Sequence, residues 1–139
     1  MAVLELFTEH FAAALAAYEV TVITEYQRQG KPLPPEKEFV CVGLHEMLCG
    51  TPLRSGDGLA LPAELTLRVQ MLCTTDRNVR CLQELFETAL IPALADSGIA
   101  VKRLAFGAVK HDAKSDRFVR ECLITVPALL TRMPSGDST

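Results

Sequence analysis

Between residues 63 and 73, Ala63, Leu65, Leu67, Val69, Met71 and Cys73 alternate with the polar side chains of Glu64, Thr66, Arg68 and Gln70. Successive side chains of a strand point to opposite faces, so this period of two specifies a strand with one face on a core and the other open to water. Any fold for this chain must supply a layer to cover the apolar face. The run Phe-Val-Cys-Val-Gly-Leu at 39–44 is apolar at nearly every position, as in a strand covered on both faces or buried in a subunit contact.

The covering layer is readable as two helices. Leu4, Phe7, Phe11 and Leu15 form a helical stripe in an alanine-rich stretch, which predicts a helix over 3–17. After the alternating strand, Thr75 or Asp76 is placed to cap a second helix over 76–90, with Val79, Leu82, Leu85, Phe86 and Ala89 facing inward. Pro92 should kink or end that helix, and Gly98 closes the segment.

The remaining elements are extended or punctuated. Residues 19–26 are rich in β-branched and aromatic side chains and read as a strand, followed by a loop at Gly30, Pro32, Pro34 and Pro35. Residues 50–62 hold Gly50, Pro52, Ser55, Gly56, Asp57, Gly58 and Pro62 and read as a long polar loop. The runs 99–110 and 117–129 read as a hairpin joined by the polar turn 111–116, and 133–139 as a flexible tail. The order is α-β-β-β-α-β-β. It predicts one α+β domain over residues 1–132, with a mainly antiparallel sheet of about five strands and two helices packed on one face. A chain of 139 residues suits one domain, since two would each lack an adequate core.

Charge is uneven along the chain although the net value is only −3. Residues 1–27 carry Glu5, Glu9, Glu19 and Glu25 against no base, whereas 102–120 carry Lys102, Arg103, Lys110, Lys114, Arg117 and Arg120 against Asp112 and Asp116. An acidic end and a basic end on one chain favour head-to-tail association, in which different patches meet and can close into a ring. The same charges also suit a solvated hairpin with local partners. The basic set lacks the exposed aromatics on which nucleic-acid bases stack.

No catalytic or metal constellation emerges. His10, His45 and His111 are scattered, with no second ligand at metal-binding spacing. Cys41 and His45 share a strand face but sit about 13 Å apart, too far for a thiol and its base. The five cysteines are odd in number and never spaced Cys-x-x-Cys, which predicts reduced core thiols in an intracellular protein. Residues 55–58, Ser-Gly-Asp-Gly, fit a flexible turn and match no phosphate-loop pattern; Asp112 and Asp116 around Lys114 fit a solvated turn. There is no basic, signal-like start and no apolar run long enough for a membrane helix, so export and membrane insertion are not expected.

Over about residues 3–130 this layout resembles the tail-terminator, or tail-completion, proteins of tailed bacteriophages and prophages. The resemblance is strongest in the helix 76–90 after the strand 63–73, with the polar hairpin near 110–117. It implies a non-enzymatic structural protein without cofactor or metal, located in the virion tail and assembled in the bacterial host cytoplasm. Such a protein forms a ring, commonly hexameric, that caps the tail tube, stops its growth and joins it to the head or neck. Its partners would be other copies of itself, the tail tube protein and a head or neck protein. The contact residues would be Arg54 and Asp57 in the loop 50–62, and Lys110, Asp112, Lys114 and Arg117 in the hairpin tip. That loop is longer here than is usual in the family. Two other readings stay open: a small intracellular ligand-binding or regulatory α+β module, and an enzyme whose site is assembled from residues distant in sequence.

Overall fold

A computed structural model describes residues 3–24, 37–56 and 58–132. The predicted proline loop, residues 25 and 26 of the first strand, Asp57 and the predicted tail 133–139 lie outside the described residues. The described chain is α+β. In order it has α1 (Val3–Ala16), β1 (Val22–Thr24), β2 (Glu38–Cys49), β3 (Leu53–Ser55) and β4 (Gly58–Thr74). A second helix, α2, follows over 80–97, then β5 (Arg103–Phe106), β6 (Lys110–Asp112) and β7 (Arg117–Arg132).

The seven strands form one mixed sheet in the order β1-β2-β4-β7-β5, with β3 alongside β4 and β6 alongside β7. Only β1 and β2 pair in parallel; every other pairing is antiparallel. The mainly antiparallel sheet agrees with the sequence, but there are seven strands instead of about five. The additional strands come from two places. Residues 50–62 are not a loop: the chain steps from β2 to β3 over Gly50–Pro52 and returns through a tight turn with Gly56 at φ 59° into β4, which starts at Gly58. Turn-forming residues at 50–58 hide this hairpin from composition, because a single pairing of three residues on each side leaves no alternation to detect. Residues 99–110 likewise split into β5 and β6, with the break at 107–109.

Both prolines inside long strands sit where no donor is needed. Pro62 accepts Gly50 N–H through its carbonyl, so its ring nitrogen faces the gap between β2 and β3. Thr125 turns its carbonyl to Lys102 N–H on the β5 side, and Pro127, two residues on, faces that side beyond the end of β5.

The alternation at 63–73 is realised as read. Leu65, Leu67, Val69, Met71 and Cys73 are buried beneath the helices, with Val40 and Val42 of β2 and Cys122, Ile124 and Val126 of β7. From α1, Phe11 and Leu15 close this core, and from α2, Leu82, Leu85, Leu90 and Ala93. The apolar run 39–44 is covered on both faces, because Phe39 and Cys41 are buried with Leu72 in a second, smaller cluster on the opposite side of the sheet.

Helix α2 differs from expectation at both ends. It begins at Arg80, not at 76, because the Asn78 side chain accepts the Arg80 N–H, while Asp76 is held in the preceding turn by the Thr74 hydroxyl and by Lys37. Nor does Pro92 end it. A π turn at Phe86–Leu90, in which Ile91 N–H reaches back to the Phe86 carbonyl, precedes the ring, and the helix continues over Ile91–Ser97. It stops at Gly98 in the left-handed conformation, φ 70°, as the sequence indicates.

Leu67 and Ile124 face each other across β4 and β7 with no exposure. Replacing Leu67 by Ala should destabilise the fold by about 3 kcal/mol, the ordinary cost of an unfilled core cavity. A urea titration that showed less than about 1 kcal/mol would mean that this centre of the sheet is not tightly packed.

Candidate functional site

Two ends of one strand hold the side chains singled out in the sequence. At the start of β7, Arg117 lies with its guanidinium carbon 5.0 Å from the centroid of the Phe39 ring. The turn 113–116 before it is fixed by Ser115, which donates to Asp112, and by His111, bonded to Asp116 at 2.9 Å. The Ser115 hydroxyl and the backbone N–H groups of Lys114 and Ser115 hold the Asp112 carboxyl below the usual carboxylate range. That support is present above the ordinary aspartate pKa and is lost as acid brings the pH through the lowered value. Lys110 and Lys114 project from this tip and are exposed.

Arg54 lies elsewhere. It pairs with Leu59 in β4, which in turn pairs with Arg132 at the far end of β7. Fifteen residues of strand separate Arg132 from Arg117, about 50 Å. The structure therefore brings Lys110, Asp112, Lys114 and Arg117 together and leaves Arg54 apart; Asp57 lies outside the described residues.

Several charges read as solvated are engaged within the subunit. Arg120 lies on the helix side of the sheet, its guanidinium carbon 3.7 Å from the Phe106 centroid, with Phe106 stacked on Phe86 of α2 at 4.2 Å. It donates to the Gly107 carbonyl at 2.7 Å and to Gln83 Oε1 at 2.9 Å, tying β7, the β5–β6 break and α2 into one unit. Lys102 pairs with Glu64, whose carboxyl is thereby held below its usual range. Sequence reasoning missed the Arg120 arrangement; the signal for it was an arginine among the inward-facing positions of β7.

The helix-free face carries a cavity of about 510 Å³, which no motif announced. Its floor is Leu72, Val119, Leu123 and Ala105, and its rim includes Gln70, Glu121, Lys110 and Asp112. Gln70 and Glu121 are directly opposed across β4 and β7. Beyond the helices, at the other end of the same face, the sheet continues as a ribbon whose Leu48, Leu53 and Leu129 are 57%, 60% and 60% exposed.

Among the described residues no cluster of three or more His, Cys, Asp or Glu could hold a metal ion, and no helix is long and apolar enough to cross a membrane. The cysteines are free thiols. Cys41, Cys73 and Cys122 are buried as expected and Cys81 is half-buried; Cys49 departs from the reading as core and is exposed on the ribbon. Burial pushes Cys122 up to about 12, and burial with the neighbouring Cys73 pushes Cys81 to about 12. The sequence matches no model of a known protein family and no curated protein.

Two measurements check this arrangement. Arg120→Ala should cost about 2 kcal/mol of stability, the combined worth of a stacked cation and its hydrogen bonds, and Arg120→Lys should recover less than half of it. Thiol labelling of the native protein at pH 8 should show one fast site per chain, lost in Cys49→Ser; a second fast site would contradict the burial or half-burial of the other four.

Proposed function

We propose that the protein is a structural ring-former resembling a phage tail terminator, which caps a tail tube and presents a surface to the head or neck. The observation that supports this reading is the placement of charge on opposite edges of the sheet. Helix α1, with Glu9, packs against β1, β2 and the end of α2 on one edge, and the exposed Glu19 lies in the turn that follows it. The β5–β6 edge, with Lys110, Lys114 and Arg103 exposed, is the other. A contact that joins one edge to the next copy's opposite edge is heterologous, and such contacts repeat until a rotation closes them into a ring. The engagement of Arg117 and Arg120 inside the subunit, and of Lys102 and Arg103 with Glu64, narrows the basic edge to Lys110 and Lys114.

The hairpin tip remains a contact element in this reading, and Arg54 on the projecting ribbon is placed to meet a different partner, the tube or the neck. Under the same proposal the chain is not an enzyme, and its location is the virion tail. A second reading, a ligand-binding module, has one specific observation in its favour: the cavity rimmed by Gln70, Glu121, Lys110 and Asp112.

Light scattering on a sizing column separates the two. The ring reading expects an assembly several protomers in size, reduced by Lys110→Glu with Lys114→Glu and weakened at high salt, since exposed charges beyond about 8–10 Å are screened at physiological ionic strength. A protein that stays monomeric at all concentrations and shows a bound small molecule in native mass spectrometry would transfer the assignment to the module.

A further inference from the structure

Among the described residues, the side chains of Gln70, Lys110 and Glu121 line the cavity of the helix-free face without a hydrogen bond or ion pair to one another or to a neighbour. Strand pairing fixes where they stand. Gln70 and Glu121 are directly opposed on β4 and β7, which sets their Cβ atoms about 5 Å apart. Lys110 pairs with Val119, the next residue of β7 on the same face, so it stands diagonal to Glu121 at about 7–8 Å. Gln70 and Glu121 are half-buried, and Glu121 lies between Val119 and Leu123 along its strand. Toward the sheet edge the side chains are small: Ala105 stands opposite Leu123, and Gly107 gives its N–H to the Glu121 carbonyl. A carboxylate drawn partly out of water over an apolar floor is costly until a donor reaches it. The other polar groups nearby are occupied: Ser115 holds Asp112, Asp116 holds His111, and Arg68, beside Leu123, is already engaged.

We infer that this cavity binds a small zwitterion with an apolar body, the chemical class of the larger apolar α-amino acids. The ligand's ammonium donates to the Glu121 carboxylate and the Gln70 side-chain carbonyl. Its carboxylate accepts from Lys110 Nζ, and its apolar part lies on Leu72, Val119 and Leu123. A ligand with a single charge would match either Glu121 or Lys110 and leave the other facing it unpaired. No aromatic ring lines the cavity, so a nucleobase would find no stacking partner there. The volume of about 510 Å³ falls within the range of small-ligand clefts. This site does not rest on the ring reading: Glu121 lies inside the sheet and not on its edge, and Lys114 does not line the cavity.

The test is calorimetric titration with leucine and phenylalanine, beside isocaproate, which lacks the ammonium, and isoamylamine, which lacks the carboxylate. At least one of the two amino acids should bind, and each single-charge analogue should bind about tenfold more weakly or worse. Glu121→Gln and Lys110→Gln should weaken the amino acid by a similar factor, because each removes a charge-assisted hydrogen bond. Glu121→Gln keeps the size and shape of the side chain, and an unchanged melting temperature would confirm that it folds. Ala105→Leu, which fills the cavity from its edge, should abolish binding, whereas Lys114→Glu should leave it unchanged even if assembly is lost. No heat from either amino acid at about 10 mM, or equal affinity for a single-charge analogue, would overturn the site. So would undiminished binding by Glu121→Gln or Ala105→Leu, or loss of binding in Lys114→Glu.

Discussion

The unbroken antiparallel ladder between β4 and β7 is the constraint on which the rest of the molecule depends. It runs from Leu59 opposite Arg132 to Thr74 opposite Arg117 without a register shift. Because side chains alternate faces, that register decides at once which residues of both strands meet the helices and which meet solvent; a slip of one residue would exchange the two sets. The other strands build outward from this pair, β2 and β3 along the outer side of β4, β5 and β6 along the outer side of β7, and β1 beyond β2. The helices cover only its middle and one end, so the ladder outruns the core and leaves a ribbon with apolar side chains in water.

That overhang has a physical consequence for function. Three large side chains, Leu48, Leu53 and Leu129, are more than half exposed on one face of the projecting ribbon, and exposed apolar side chains grouped in this way are the kind of surface that a binding partner covers. The two sheet edges carry different charge, and the face opposite the helices carries a cavity toward β5 and β6 and exposed leucines at its other end. Of the charged side chains, Lys110, Asp112 and Glu121 meet at the cavity, and others are engaged in local pairs such as Lys102 with Glu64 and Arg120 with Gln83.

Much of the fold was legible. The alternation at 63–73 named the inward face of β4, the apolar run at 39–44 marked a strand covered on both faces, and the stripe ending in Phe11 and Leu15 placed α1 on the core. Failures occurred where a residue's usual local preference was overridden by its neighbours in space. Pro62, read as part of a loop, stands inside a strand because its nitrogen faces a gap in the pairing, and Pro92 stands inside a helix behind a π turn. The β3–β4 hairpin was hidden because glycine and proline are as frequent in tight turns as in loops. Arg120 was counted as solvated because its stack on Phe106 joins residues from three elements.

By itself the sequence determined which residues are apolar, their period along each element and the sign of charge along the chain. These fixed an α+β domain with helices on one face of a mainly antiparallel sheet, because burial of a periodic apolar face is a local property of the pattern. Tertiary structure alone decided the length of the β4–β7 ladder, the cavity between Leu72 and Leu123 and the separation of Arg54 from the hairpin tip. Each of these depends on strand register between residues some sixty positions apart, and register is set by the packing of the whole sheet.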